Sequence, residues 1–151
     1  MANDFVGMHV RERRFVLWDD GTGYFSCTTE ENTVAGLLQA LKIPGETKNT
    51  NVLLSDFAIT QKQLLDAIER VQGVKYKTET INSEKLITEK KEAEKQGDKS
   101  ATLALIQTGF VTGKFGGHLE KEGVIMNRKL GLPESTLDEA ITDALKSVGA
   151  L

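Results

Sequence analysis

Apolar and polar positions fall along this chain in blocks that predict most of its secondary structure. The burst Phe15-Val16-Leu17-Trp18 stops at Asp19-Asp20-Gly21-Thr22-Gly23, and a short apolar stretch returns over residues 24–28. That pattern predicts a strand, an Asp-Gly turn and a paired returning strand, a hairpin. Thr28 stands three residues before Glu31, the spacing of a capping box, and Val34, Leu37, Leu38 and Leu41 follow at i, i+3, i+4 and i+7. One apolar stripe on a helix of about 12 residues is the expectation, ended by Pro44-Gly45.

The run Val52-Leu53-Leu54 sits among polar residues, and a buried strand over 51–57 fits its length. Thr60 caps a helix with Gln63 at its third position, Leu64, Leu65, Ile68 and Val71 form its stripe, and Gly73 ends it. Residues 74–80 alternate in part and carry β-branched and aromatic side chains, as a half-exposed strand does. The portion 13–82 thus reads strand, helix, strand, helix, strand, and strands joined by helical crossovers pair in parallel where they share a sheet.

From Ser83 the character changes, and 83–151 reads as mainly helical. A charged helix over 84–96 ends at Gly97-Asp98, and a second covers about 100–111 with Leu103, Leu105, Ile106 and Phe110. Residues 113–118 form a glycine-rich loop. The last helix carries Leu137, Ala140, Ile141, Ala144, Leu145 and Val148 on one side. No repeat and no low-complexity linker interrupts the chain, so residues 1–151 are expected to form one α/β domain (α+β if it stands alone), a short, partly parallel sheet with about five helices.

Composition narrows the class. The chain has 151 residues, 19 Lys and Arg against 22 Asp and Glu, and a net charge of −3, which leaves no basic footprint for nucleic acid. A single cysteine, Cys27, makes no intrachain disulfide and no four-ligand metal site without help. No apolar run nears 18 residues and the first 20 lack a signal-peptide core, so a cytoplasmic protein away from membranes is expected.

Candidate chemistry is sparse. The loop Gly113-Lys114-Phe115-Gly116-Gly117 lacks the Walker spacing and the Ser or Thr after its Lys, so it reads as a connector or a substrate-covering loop. Asp19-Asp20-Gly21 fails the alternation of a calcium loop and reads as a solvated turn. His118, after two glycines, is a ligand-contact or surface residue, and His9 a structural one. Cys27 reads as buried filler. Tyr76 and Tyr24 are followed four residues on by Thr80 and Thr28, so no Tyr-x-x-x-Lys pair exists.

Several stretches, taken in order, resemble the C-terminal part of the NmrA-like family, the isoflavone-reductase-like branch of atypical short-chain dehydrogenase/reductases. They are Trp18-Asp19-Asp20-Gly21, residues 28–41 (TTEENTVAGLLQAL), Glu46-Thr47-Lys48-Asn49 before 51–57, Thr60-Gln61-Lys62-Gln63-Leu64-Leu65 leading to Ile68-Glu69, and Ser83-Glu84-Lys85-Leu86. Phe115-Gly116-Gly117-His118-Leu119-Glu120 and Leu130-Gly131-Leu132-Pro133-Glu134 complete the set, which spans about 13–149. Members are about twice this length and hold NADP(H) in an N-terminal Rossmann half with a glycine-rich turn. No such turn occurs here, and the lysine used near the cofactor also belongs to that half. The resemblance therefore implies a substrate-binding lobe, with tight cofactor binding and catalysis not expected of this chain alone.

Its implied substrate-side wall is Phe110, Phe115, Gly116, Gly117, His118 and Met126, supplying shape and apolar contact to a small aromatic substrate. The acidic residue usual at the start of the 28–41 helix is Asn32 here, which weakens an anchoring role. The alternatives implied are a non-catalytic NAD(P)-sensing member that binds a regulator protein, and a free-standing lobe that forms homo-oligomers through uncovered surface.

Overall fold

A computed structural model describes residues 5–151. The chain forms a small α+β domain of two short sheets with helices packed around them. Strand β1 (Met8–His9) pairs antiparallel with β2 (Arg14–Trp18), and β2 pairs in parallel with β5 (Lys77–Ile81) in the order β1-β2-β5. The second sheet is one antiparallel pair, β3 (Tyr24–Cys27) with β4 (Phe57–Thr60). Helices α1 (Glu30–Lys42), α3 (Gln61–Gln72), α4 (Ser83–Lys95), α5 (Ser100–Val111) and α7 (Leu137–Ser147) are long, while α2 (Pro44–Thr47) and α6 (Leu119–Glu122) are single turns.

The hairpin expected across residues 15–28 does not form. Asp19 takes φ 55° and Gly21 φ 68°, turning the chain out of the first sheet. The backbone of β2 that would meet β3 is held by Gln61, whose side-chain oxygen accepts from Trp18 N at 2.8 Å and whose amide donates to the Val6 and Val16 carbonyls at 2.9 Å. A fully buried Gln at the first position of α3 thus replaces a strand neighbour. The helix between β3 and β4 does not enforce parallel pairing either, because these two strands meet antiparallel.

The buried strand expected over 51–57 is reduced to one bridge, Leu53 to Ile125, with the ladder starting only at Phe57. Side chains occupy the intervening backbone: Thr28 Oγ1 donates to Leu54 O at 2.9 Å, and Ser55 N donates to Asn127 Oδ1 at 3.0 Å.

Capping follows the physics of orphan helix donors. Thr60 with Gln63 and Thr136 with Glu139 form reciprocal capping boxes, and Gly73 closes α3 in the left-handed region at φ 66°. At α1 the cap is Thr29, one residue later than expected, accepting from Asn32 N.

The main core gathers Met8, Phe15, Phe25, Ile59, Leu64, Ile68, Ile141 and Leu145, so α3 and α7 pack together beneath both sheets. A second cluster joins Val16, Trp18 and Val111, and a third joins Met126, Leu130 and Leu132 to Leu54, Val52, Ala35 and Ile43.

Helix α1 is rotated from the expected orientation. Its inner face is Asn32, Gly36 and Ala40, and Val34, Leu37, Leu38 and Leu41 are 59%, 62%, 55% and 70% exposed. Gly36 sets the approach: a Cβ there would lie 2.4 Å from Leu54 Cδ1. The total accessible surface, 9314 Å², exceeds by about a fifth the value that size scaling gives a monomer of this mass.

Candidate functional site

The polar centre of the molecule is Asp56, at the entry to β4. Its Oδ2 accepts from Thr29 N at 2.8 Å and Thr29 Oγ1 at 2.9 Å, and its Oδ1 accepts from Asn32 Nδ2 at 2.8 Å and Asn127 Nδ2 at 2.7 Å. Asn32 Nδ2 also donates to Pro133 O at 2.9 Å. One carboxylate thereby fastens the start of α1, the 51–57 segment and the 126–134 loop. Asn32 is an anchor, contrary to the weakened role its amide suggested: the amide supplies donors to Asp56 and Pro133, where a second carboxylate would meet only repulsion.

Beside this network lies a second carboxylate, Glu120 on α6. Its oxygens accept from Ser26 Oγ and Ser55 Oγ, each at 2.5 Å, and Ser26 Oγ accepts in turn from Leu119 N at 2.9 Å. Burial works to raise the Glu120 carboxyl, but the two serine hydroxyls outweigh it and hold the group below the ordinary glutamate range. His118 Nε2 stands 3.6 Å from Glu120 Oε2, its ring stacks on Tyr24 with centroids 5.5 Å apart, and its buried Nδ1 has no partner.

A cleft of about 400 Å³ opens between these segments, lined by Ser55, Asp56, Ile125, Asn127, Arg128, Leu132, Pro133, Glu134 and Ser135. Its wall is rigidly built, because Ser55, Asp56 and Asn127 are all engaged in the network just described. Asp56, Arg128 and Glu134 make no ion pair among the described residues, so the cleft carries two carboxylates and one guanidinium beside the apolar Leu132 and Pro133.

The arrangement suits binding and positioning. Glu120 accepts from both Ser26 and Ser55, and Ser26 Oγ accepts in turn from Leu119 N, so the carboxylate ties β3, the 51–57 segment and α6 together. Burial pushes the Cys27 thiol up to about 11, which keeps it protonated and unreactive. No cluster of three or more metal-ligating side chains occurs among the described residues.

The expected substrate-side wall is only partly assembled. Gly117 and His118 meet the Glu120 network: Gly117 O accepts from Ser26 N at 2.8 Å, and a Cβ on Gly117 would strike Phe110 O at 2.2 Å. Phe115 is exposed and packs over Gly109, and Gly116 turns at φ 79°. Phe110 points into the core against Phe25 and Phe5, and Met126 is buried in the third cluster. None of the six lines the 400 Å³ cleft. Asp56, Asn127 and Glu120 were missed as site residues, although Asn32 flagged one end of the network.

Asp19 is more than a solvated turn. It accepts from Ser83 N at 2.8 Å and Ser83 Oγ at 2.6 Å, with Lys114 Nζ 3.8 Å away. Burial opposes its charge, but the Ser83 bonds and Lys114 prevail and lower its pKa.

No helix among the described residues is long and apolar enough to cross a membrane. Comparison with family models, with curated proteins and with solved structures yields no match.

Proposed function

We propose that this chain is a substrate-binding lobe of the kind found in NAD(P)H-dependent, NmrA-like reductases, holding a small aromatic molecule and not catalytic by itself. The observation that carries the reading is convergence on Asp56. The three stretches of the resemblance at 28–41, 51–57 and 130–134 are separate in sequence, yet their residues Thr29, Asn32, Asp56 and Pro133 share one hydrogen-bond network bordering the cleft.

The residues present do not fit a dinucleotide. In a sheet of this kind the pyrophosphate sits at a helix N-terminus beyond the carboxyl ends of parallel strands. Beyond β2 and β5 that position belongs to the start of α4, where two of the first-turn donors are already taken: Ser83 N by Asp19 and Lys85 N by Asn82. The Asp19 carboxylate would also repel a phosphate. In this reading the nicotinamide and its hydride come from a separate dinucleotide-binding half, while the cleft supplies an ordered, partly dry surface for the acceptor.

The test is a pair of titrations on the purified chain. NADPH fluorescence should show no saturable binding below about 1 mM. 4-Hydroxyacetophenone, a small aromatic ketone, should shift the amide resonances of Ser55, Asn127 and Arg128. Micromolar NADPH affinity, or ketone-induced shifts confined to residues away from the cleft, would overturn the assignment.

A further inference from the structure

We propose that the exposed face of α1 is a self-association surface that pairs antiparallel with α1 of a second copy of this chain. This goes beyond the lobe reading and does not depend on it. The four apolar residues of the face are arranged symmetrically about a point between Leu37 and Leu38. A two-fold axis through that point sets Val34 against Leu41 of the second copy and Leu37 against Leu38, so the surface is complementary to itself, as an isologous contact requires.

Charge supports the same direction. Glu30 and Glu31 lie at the N-terminal end of the face and Lys42 at its C-terminal end, all exposed. None of the three forms an ion pair among the described residues, so each is available to a partner. Helical geometry puts Glu31 and Lys42 on the same flank of the stripe. In the antiparallel arrangement each Lys42 therefore comes alongside Glu31 of the other copy, within about 3 Å along the axis. The helix dipoles oppose each other favourably as well. Parallel pairing would instead set Glu31 against Glu31 and Lys42 against Lys42.

Area sets the strength. The four residues expose roughly 450 Å² of mostly apolar surface, about half of what one partner contributes to a standard interface. The flanking Glu30, Glu31, Thr33 and Lys42 enlarge it, and the fold has surface in excess of the size expectation. A reversible dimer in the micromolar range is expected, not an obligate one.

Sedimentation equilibrium of the full chain between about 10 and 500 μM tests the proposal. The parent chain should self-associate, and Leu38→Glu, at an exposed position, should weaken association at least tenfold while leaving the far-UV spectrum and Tm of the monomer unchanged. Glu31→Lys and Lys42→Glu should each weaken self-association about three- to tenfold. A mixture of those two variants should associate more tightly than either alone, because the flank that Glu31→Lys makes all positive then meets the flank that Lys42→Glu makes all negative. Orientation is read from the single variants, which antiparallel pairing weakens and parallel pairing, like against like already in the parent chain, does not. A parent that stays monomeric at 500 μM leaves the face to another occupant, such as a dinucleotide-binding half, and overturns the proposal. So does a dimer that Leu38→Glu leaves intact, or a mixture no tighter than its components.

Discussion

Replacing Asp56 with alanine removes the acceptor of four hydrogen bonds at once: two from Thr29, one from Asn32 and one from Asn127. The Thr29 groups sit at the edge of α1 and can turn to water. The Asn32 amide cannot, because Asn32 is buried, and it keeps only the Pro133 carbonyl. Asn127 loses the partner that fixes its other end on Ser55 N. Each stranded buried donor costs about 1–3 kcal/mol, and relief from desolvating the carboxylate returns part of that. The net expectation for Asp56→Ala is about 3 kcal/mol, or a Tm lower by roughly 6–12 °C for a domain of this size. Asp56→Asn keeps one acceptor oxygen but turns an amide toward the remaining donors, and should fall about midway. Urea unfolding measures both, and hydrogen exchange at Ser55 reads the local effect, since its amide loses protection when Asn127 swings free. Asp56→Ala within 0.5 kcal/mol of the parent, with Ser55 exchange unchanged, would show that the network does not hold the cleft wall.

Glu120 is held below the ordinary glutamate range, so its stabilising contribution is complete above the unfolded value and is lost as pH falls through the folded one. Acid unfolding should therefore be less steep in Glu120→Gln, whose stability at pH 7 is already reduced; parallel acid titration curves would refute the assignment. Gly117→Ala puts a Cβ 2.2 Å from the Phe110 carbonyl oxygen, a backbone atom that cannot simply rotate away, and should cost about 2 kcal/mol or more by denaturant titration. Cys27, with its thiol pushed up to about 11, should react with Ellman's reagent at pH 8 only slowly in the folded chain and rapidly in urea. A fast native reaction would mean that the 27–29 segment opens readily.

Local rules carried far where a single element decides the outcome. Thr60 with Gln63, Gly73 as a left-handed stop, and the span of α5 were all legible, because capping and termination depend on residues only a few positions apart. The pairing of strands was not. Asp20-Gly21 is a good hairpin signal, but Gln61, more than forty residues away, fills the edge of β2 and sends β3 to another sheet. The 51–57 segment reads as a strand from its apolar run, yet its backbone is shared between isolated backbone bonds to Met126 and Cys27 and the side chains of Thr28 and Asn127, which leaves no continuous ladder. Asp56 was illegible for the same reason: an isolated acidic residue acquires meaning only when Thr29, Asn32 and Asn127 are brought to it.

Helix α1 shows how a periodicity can be read correctly and oriented wrongly. Two stripes run along it, Val34, Leu37, Leu38 and Leu41 on one side and Asn32, Gly36 and Ala40 on the other, and hydrophobicity alone favours burying the first. Covering that surface would be worth about 10 kcal/mol gross at the usual area coefficient. Rolling the helix to do so within one chain would carry Asn32 away from Asp56 and Pro133, and would set leucines where Gly36 now lets Leu54 approach. Bulky side chains cannot occupy that space without driving α1 off the third cluster, and Asp56 would lose its buried donor. The small face is therefore fixed inward by polar chemistry and by volume together. The large apolar face is left as the uncovered area that a second molecule can use, which is why its exposure and the tight packing of Asn32 are two consequences of one orientation.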